Sequence, residues 1–353
     1  MTNASVTVVD VGHGSCCVIK SDQDVSIVDT GSGSSLAEFL RLAGIKHIDR
    51  VLISHADVDH CGGLLLILSS REFTVQRVYL NSDAAKASRR WEDLRSALEE
   101  YERQGGQVVL GFLRQSVTIA AGIFTFEVLA PRLSLAASGP GGRDQDGHLL
   151  EANTLSAVVR VLLGDKPVIL LTGDVDDLGY KHMTLSGATT SLAAPVLVFP
   201  HHGGHANRLG DSAINFDFAK AMTSTVQPEL VLFSTGRGRH GTPRHEIVAG
   251  IRAASPDARI ACTQLSENCS MGALQSRNPT IAHTVFARGS ASGHCCAGSI
   301  VLALGDVKAI AFSDGSDHSD FVSLNVPGAL CRQSSPQVPG QRAASQAAQG
   351  KSA

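Results

Sequence analysis

Short apolar runs that end on an ionisable side chain recur along the chain and constrain its fold more than any other feature. Val51-Leu52-Ile53-Ser54 runs into His55, Val168 to Gly173 into Asp174, and Val196-Leu197-Val198-Phe199-Pro200 into His201 and His202. Runs this short and this rich in branched residues suit strands buried on both faces. An ionisable group just past the end of such a strand sits at a sheet edge on a rigid support.

The pattern predicts an α/β chain. Strands are expected over 6–11, 16–20, 25–29, 51–54 and 75–80, with helices over 35–42, 62–69 and 90–103. Three strands without helices between them follow at 107–113, 117–120 and 123–129, then a polar loop at 138–147. The second half repeats the alternation, with strands at 155–163, 168–172, 196–199 and 230–234 and helices at 178–184 and 243–254. A last strand pair, 259–263 and 298–304, brackets a Cys-rich insertion over 264–297, which is long for a hairpin. The length of 353 residues sets a prior of two domains. The division read here is a catalytic domain over 1–313 carrying that insertion, a C-terminal extension over 314–332, and a Ser/Ala/Gln-rich tail over 333–353 whose composition favours disorder.

Charge removes one class of function. With 30 Lys and Arg against 33 Asp and Glu there is no global basic field to hold duplex nucleic acid, so any such contact is local. No apolar run reaches the roughly 18–20 residues of a membrane span, and Ser5 to Val9 reads as a strand with no leader before it, so no membrane partner and a cytoplasmic location are expected. Eight cysteines in such a chain are expected to be reduced thiols, metal ligands or small core residues.

The densest cluster is His55-Ala56-Asp57-Val58-Asp59-His60-Cys61-Gly62-Gly63, in which four ligand-type side chains fall within six residues. Imidazole mixed with carboxylate suits Zn²⁺, Mn²⁺ or Fe²⁺. The alternative is a polar loop with Asp59 capping a helix, and Asp174 alone could equally be a turn residue or a cap. Three such clusters at three strand ends argue for a site.

The order Val9-Asp10-Val11-Gly12-His13-Gly14, Ile27-Val28-Asp29-Thr30-Gly31, the His55–Gly63 cluster, Leu171-Thr172-Gly173-Asp174 and Pro200-His201-His202-Gly203 resembles the metallo-β-lactamase-fold hydrolases. Within them it is similar to the branch typified by the nuclease domain of the competence protein ComEC, and the likeness covers about residues 5–255. The resemblance implies an αββα four-layer sandwich with two divalent metal ions, Zn or Mn, at the sheet edges. It implies that His55 and Asp57 hold one metal, Asp59 and His60 the other, with Asp174 bridging and His202 completing the second site. Asp29 is then the carboxylate that props the metal loop. Between His60 and Asp174, Asn153 is placed near the site and His148 in solvent. Near the C-terminal end Thr242 stands where the relatives carry histidine, so His240 or His245 could supply that imidazole.

Two cations a few Å apart would activate a bridging hydroxide and clamp both oxygens of a displacement. The expected function is therefore a metal-dependent hydrolase, a phosphodiesterase or nuclease, with Asp59, His201 and His240 as catalytic groups. Arg208, Arg237, Arg239 and Arg244 are candidates for gripping phosphate, because guanidinium forks match its oxygens. The same centre could instead cleave a lactone, thioester or amide, and a non-catalytic interaction module recruiting a protein through the insertion or tail is the third reading. Cys262, Cys269, Cys295 and Cys296, with His294 beside them, could hold an additional structural Zn²⁺, or be buried free thiols.

Overall fold

The structure is a computed structural model that describes residues 4–184, 191–238, 240–272, 286–304, 311–312 and 315–332. The expected tail and Arg239 lie outside these residues.

Two β-α crossover series build the molecule. In the first, β1 (Ser5–Val8), β2 (Cys16–Lys20) and β3 (Val25–Thr30) pair antiparallel. The chain then continues in parallel through β4 (His47–Ile53), β5 (Thr74–Leu80) and β6 (Gln107–Leu110). The crossovers are helices α1 (Ser35–Leu42), α2 (Val58–Ser69) and α3 (Arg89–Arg103).

The second series repeats this plan. β7 (Val117–Ala121), β8 (Phe124–Ala130), β9 (Val158–Leu163) and β10 (Lys166–Leu171) are antiparallel. Then β11 (Val196–Val198), β12 (Leu230–Phe233) and β13 (Arg259–Cys262) run parallel. A short helix α4 (Leu133–Ser138) follows β8, and α5 (Asp177–Thr184), α6 (Ser212–Val226) and α7 (His245–Ala254) follow the later strands. After them come β14 (Ile300–Ala303), β15 (Ala311–Phe312) and α8 (Gly315–Asn325). The sheet orders are β15-β14-β1-β2-β3-β4-β5-β6 and β13-β12-β11-β10-β9-β8-β7.

Alternation of side chains along each strand makes four layers. Val6, Cys17, Ile19, Val28 and Leu52 face Phe126, Val159, Ile169 and Leu232 between the sheets. The opposite faces, such as Val18, Ile27 and Val51, meet Leu36, Leu64 and Leu94 of the first helix layer. Leu170, Leu197 and Val231 meet Phe218, Ile251 and Val322 of the second. This is the expected αββα sandwich.

The last two predicted strands do not pair with each other. β13 is hydrogen-bonded to β12, and β14 to β1 in the other sheet. The two strands belong to different sheets, so the intervening chain is a crossing between sheets and not the loop of a hairpin. Within it, 273–285 lies outside the described residues. Helices α4, α6 and α8 were not expected. No helix among the described residues is long and apolar enough to cross a membrane.

Candidate metal centre

Parallel strands present their carboxyl ends on one side, and the site lies there. Asp29 closes β3, His55 lies two residues past β4, Asp174 three past β10, and His202 sits in a 3-10 turn, Pro200–Gly203, directly after β11. Asp59 and His60 occupy the first turn of α2. The backbone is forced at these positions: Asp29, His201 and His202 have φ of 57°, 53° and 56°. Such conformations are unfavourable for residues with a side chain and persist where the surroundings over-determine them. Gly173 also has a positive φ of 51°, and a Cβ there would strike the Ser156 hydroxyl that accepts the Asp174 N–H at 3.0 Å.

Four side chains converge. His60 Nε2 is 3.2 Å from Asp174 Oδ1, and His202 Nε2 is 3.4 Å from Asp59 Oδ2 and 3.6 Å from Asp174 Oδ2. One ligand atom of each of Asp59, His60, Asp174 and His202 lies within 4.8 Å of the others. The outer nitrogens are already committed: His60 Nδ1 meets Asp29 Oδ2 at 2.7 Å, and His202 Nδ1 donates to the Ser234 carbonyl at 2.7 Å. Both Nε2 atoms are buried and lack a hydrogen bond, their approach to the carboxylates being close but off-angle. An unmade buried bond costs about 1–3 kcal/mol. Imidazoles pinned through one nitrogen with the other turned on two carboxylates make a candidate donor set for a divalent cation.

Burial alone would raise the Asp174 carboxyl, but His60, His202 and His201 outweigh it and hold it well below the carboxylate range. Burial would likewise lower His60, yet Asp174 and Asp29 draw its pKa well above 6.5. The field that draws a proton into this cluster also draws a metal cation.

The family model of the metallo-beta-lactamase superfamily matches residues 9–206, from the β1 end through the two-histidine turn. The chain belongs to the metallo-beta-lactamase superfamily. It is 24% identical over 240 residues to competence protein ComA of Neisseria gonorrhoeae, covering 66% of this chain but only 27% of that protein. The metallo hydrolase Igni18 of Ignicoccus hospitalis superposes with a TM-score of 0.43 at 16% identity, over 72% of this chain and 94% of its own. The metallo-beta-lactamase fold protein YhfI of Bacillus subtilis does so at 0.41 and 15%, over 71% and 93%.

The other candidate residues of this superfamily member divide sharply. His55 Nδ1 touches the hydroxyls of Ser54 at 3.0 Å and Ser156 at 3.3 Å, and its buried Nε2 lies 3.9 Å from Asp57. Burial, reinforced by the His60 charge, lowers His55 to about 4. Asp57 takes the N-cap position of α2 without a capping bond, and its carboxylate pairs instead with Lys86 Nζ. His201 donates its backbone N–H to Asp174 Oδ1 at 3.1 Å, with Nδ1 3.7 Å from Oδ2 and Nε2 buried without a hydrogen bond. His240 is exposed and stacks on His13 at 4.0 Å, and His13 in turn lies 3.7 Å from Asp59. His240 therefore reaches the centre only through His13.

Asn153 has a buried Oδ1 without a hydrogen bond, whereas His148 is exposed and bonded to Asp144 at 3.0 Å. Thr242 is buried, with its hydroxyl spent on Thr235 at 2.6 Å. Of the arginines, Arg237 is committed to the carbonyls of Leu265 and Ser270, and Arg208 pairs with Glu151 at the surface. Arg244 joins the two-histidine turn, its N–H donating to the Gly203 carbonyl at 2.9 Å.

Cys262, Cys269 and Cys296 line one small cavity together with Cys331, while Cys295 turns to Asp10 at 3.9 Å. Among the described residues, the cysteines do not form a group whose ligand atoms lie within 4.8 Å of one another. The groups that sequence reasoning missed are Ser156, Lys86 and the role of His13.

Proposed function

We propose that the chain is a divalent-cation-dependent phosphodiesterase acting on nucleic acid or a nucleotide-like phosphodiester, with Mn²⁺ or Zn²⁺ as the metal. The observation that carries this reading is the convergence of Asp59, Asp174 and the two unpartnered Nε2 atoms of His60 and His202. A divalent cation held there lowers the pKa of water and stabilises charge on a displaced oxygen. The carboxylates of Asp59 and Asp174 would hold it, and Asp29 and Ser234 keep both imidazoles aimed. His201, with Nδ1 toward Asp174 and Nε2 without a hydrogen bond, is the group to hand a proton to the leaving oxygen. Arg244, whose backbone N–H is tied to that turn, is the arginine proposed to meet phosphate, and the ComA relative's name as a competence protein is compatible with a nucleic-acid substrate.

The spending of Arg237 on two backbone carbonyls favours a second reading, a carbonyl substrate such as a lactone or thioester on the same centre. Hydrolysis of bis(p-nitrophenyl) phosphate and of a p-nitrophenyl ester, each with Mn²⁺ or Zn²⁺, separates the two. Phosphodiester turnover at least about tenfold above ester turnover is the expected result, and the reverse ranking contradicts it.

A further inference from the structure

Resting on the reading that Asp59, His60, Asp174 and His202 hold a cation, we propose that the chain binds one divalent cation tightly and that the Lys86 ammonium takes the place of a second. The first ligand pair, His55 and Asp57, has the donors of a second site, His55 Nε2 being buried without a hydrogen bond 3.9 Å from Asp57, but it is closed to a cation while Lys86 is in place. Asp57 is ion-paired with Lys86 Nζ, and neither His55 nor Asp57 joins the group that converges on Asp174.

Lys86 is delivered by a built loop and is not a side chain wandering in solvent. The chain leaves β5 at Leu80, and the buried Asp83 accepts the N–H groups of Ala85 and Lys86 through Oδ1 at 3.1 and 3.0 Å. The Trp91 indole N–H, from the first turn of α3, donates to the Asp83 carbonyl at 3.1 Å and fixes the same loop from the other side. Asp57 is free to receive the ammonium because its carboxylate makes no capping bond to α2. The result is a fixed positive charge against the carboxylate that a second cation would need. A partly exposed ammonium can also meet a phosphate oxygen, so the substitution keeps the positive charge of a two-cation clamp while removing one dissociable ion.

The test is cation stoichiometry of the full chain, by elemental analysis after gel filtration and by calorimetric titration with Mn²⁺. Wild type is expected to take up one Mn²⁺ per chain. Lys86→Ala is expected to take up two, and Lys86→Arg, which keeps the charge, one. Lys86→Met serves if the alanine variant fails to fold. Wild type binding two Mn²⁺ with affinities within about tenfold overturns the proposal, and so does a folded neutral variant that still binds one. These readings are independent of turnover. A chain that binds one Mn²⁺ but cleaves no phosphodiester sinks the functional reading alone, whereas a chain that binds none sinks both.

Discussion

Asp29 Oδ2 and His60 Nδ1 lie 2.7 Å apart, and both side chains are closed off from solvent. The same carboxylate takes the Ser54 N–H at 2.8 Å and its hydroxyl at 2.9 Å, so one residue at the end of β3 ties the end of β4 to the first turn of α2. Asp29→Asn is expected to lower cation affinity about 10–100-fold, the usual effect of removing such a support, with little change in thermal stability. Calorimetric titration with Mn²⁺ checks it, and unchanged affinity contradicts it.

The seating of α2 on that strand end is tight. Gly63 donates to the Gly31 carbonyl at 2.8 Å, and a Cβ at Gly63 would run into the Thr30 carbonyl oxygen. Gly63→Ala is expected to cost about 1–3 kcal/mol, because backbone must move to admit the methyl. Gly272→Ala, where a Cβ meets nothing within 4 Å among the described residues, is expected to change almost nothing. Urea unfolding of both variants gives the comparison.

Burial pushes the His318 imidazole down from 6.5 to about 4, on α8 beside Cys296 Sγ at 3.3 Å. The unfolded chain then binds the proton first. The contribution is fully present above about pH 6.5 and is lost as pH falls toward 4, amounting to roughly 2–3 kcal/mol. His318→Leu is expected to flatten the fall in stability between pH 7 and pH 5, followed by urea unfolding at each pH. An equal fall in both proteins contradicts the assignment.

All eight cysteines are free thiols, and burial raises several of them well above 9, with Cys61 pushed up to about 12. At pH 8 a disulfide reagent is expected to react slowly with Cys16, Cys17, Cys61, Cys262 and Cys296 until the chain is unfolded, since the thiolate is the reactive form. Mass mapping of the labelled positions in the native state checks this, and rapid labelling of Cys16 or Cys17 contradicts it.

What the sequence makes legible is what lies close together along it. His55, Asp57, Asp59 and His60 share one strand-to-helix turn, and His201 and His202 share another, so each set can be expected to lie together without knowing the topology. Lys86 and Ser156 act through neighbours 29 and 101 residues away, and only the stacking of strand ends brings them in. The cysteine reading shows the same limit: adjacency suggested Cys295, whereas the fold turns it to Asp10 and brings Cys331 to the cavity from beyond α8. The missed helix α6 has a mixed surface with buried Asn215 and Thr223, which hides its periodicity. Its start was signalled by Asp211, whose carboxylate accepts the Ala213 and Ile214 N–H groups.

The cation cluster is tested most directly by Mn²⁺- and Zn²⁺-dependent cleavage of bis(p-nitrophenyl) phosphate by wild type and by the Asp59→Ala/His60→Ala double variant. Wild type is expected to turn over only with metal added. The double variant is expected to lose at least about 10³-fold while its circular dichroism stays that of the folded chain. A folded double variant cleaving at the wild-type rate contradicts the claim that these residues hold the catalytic cation.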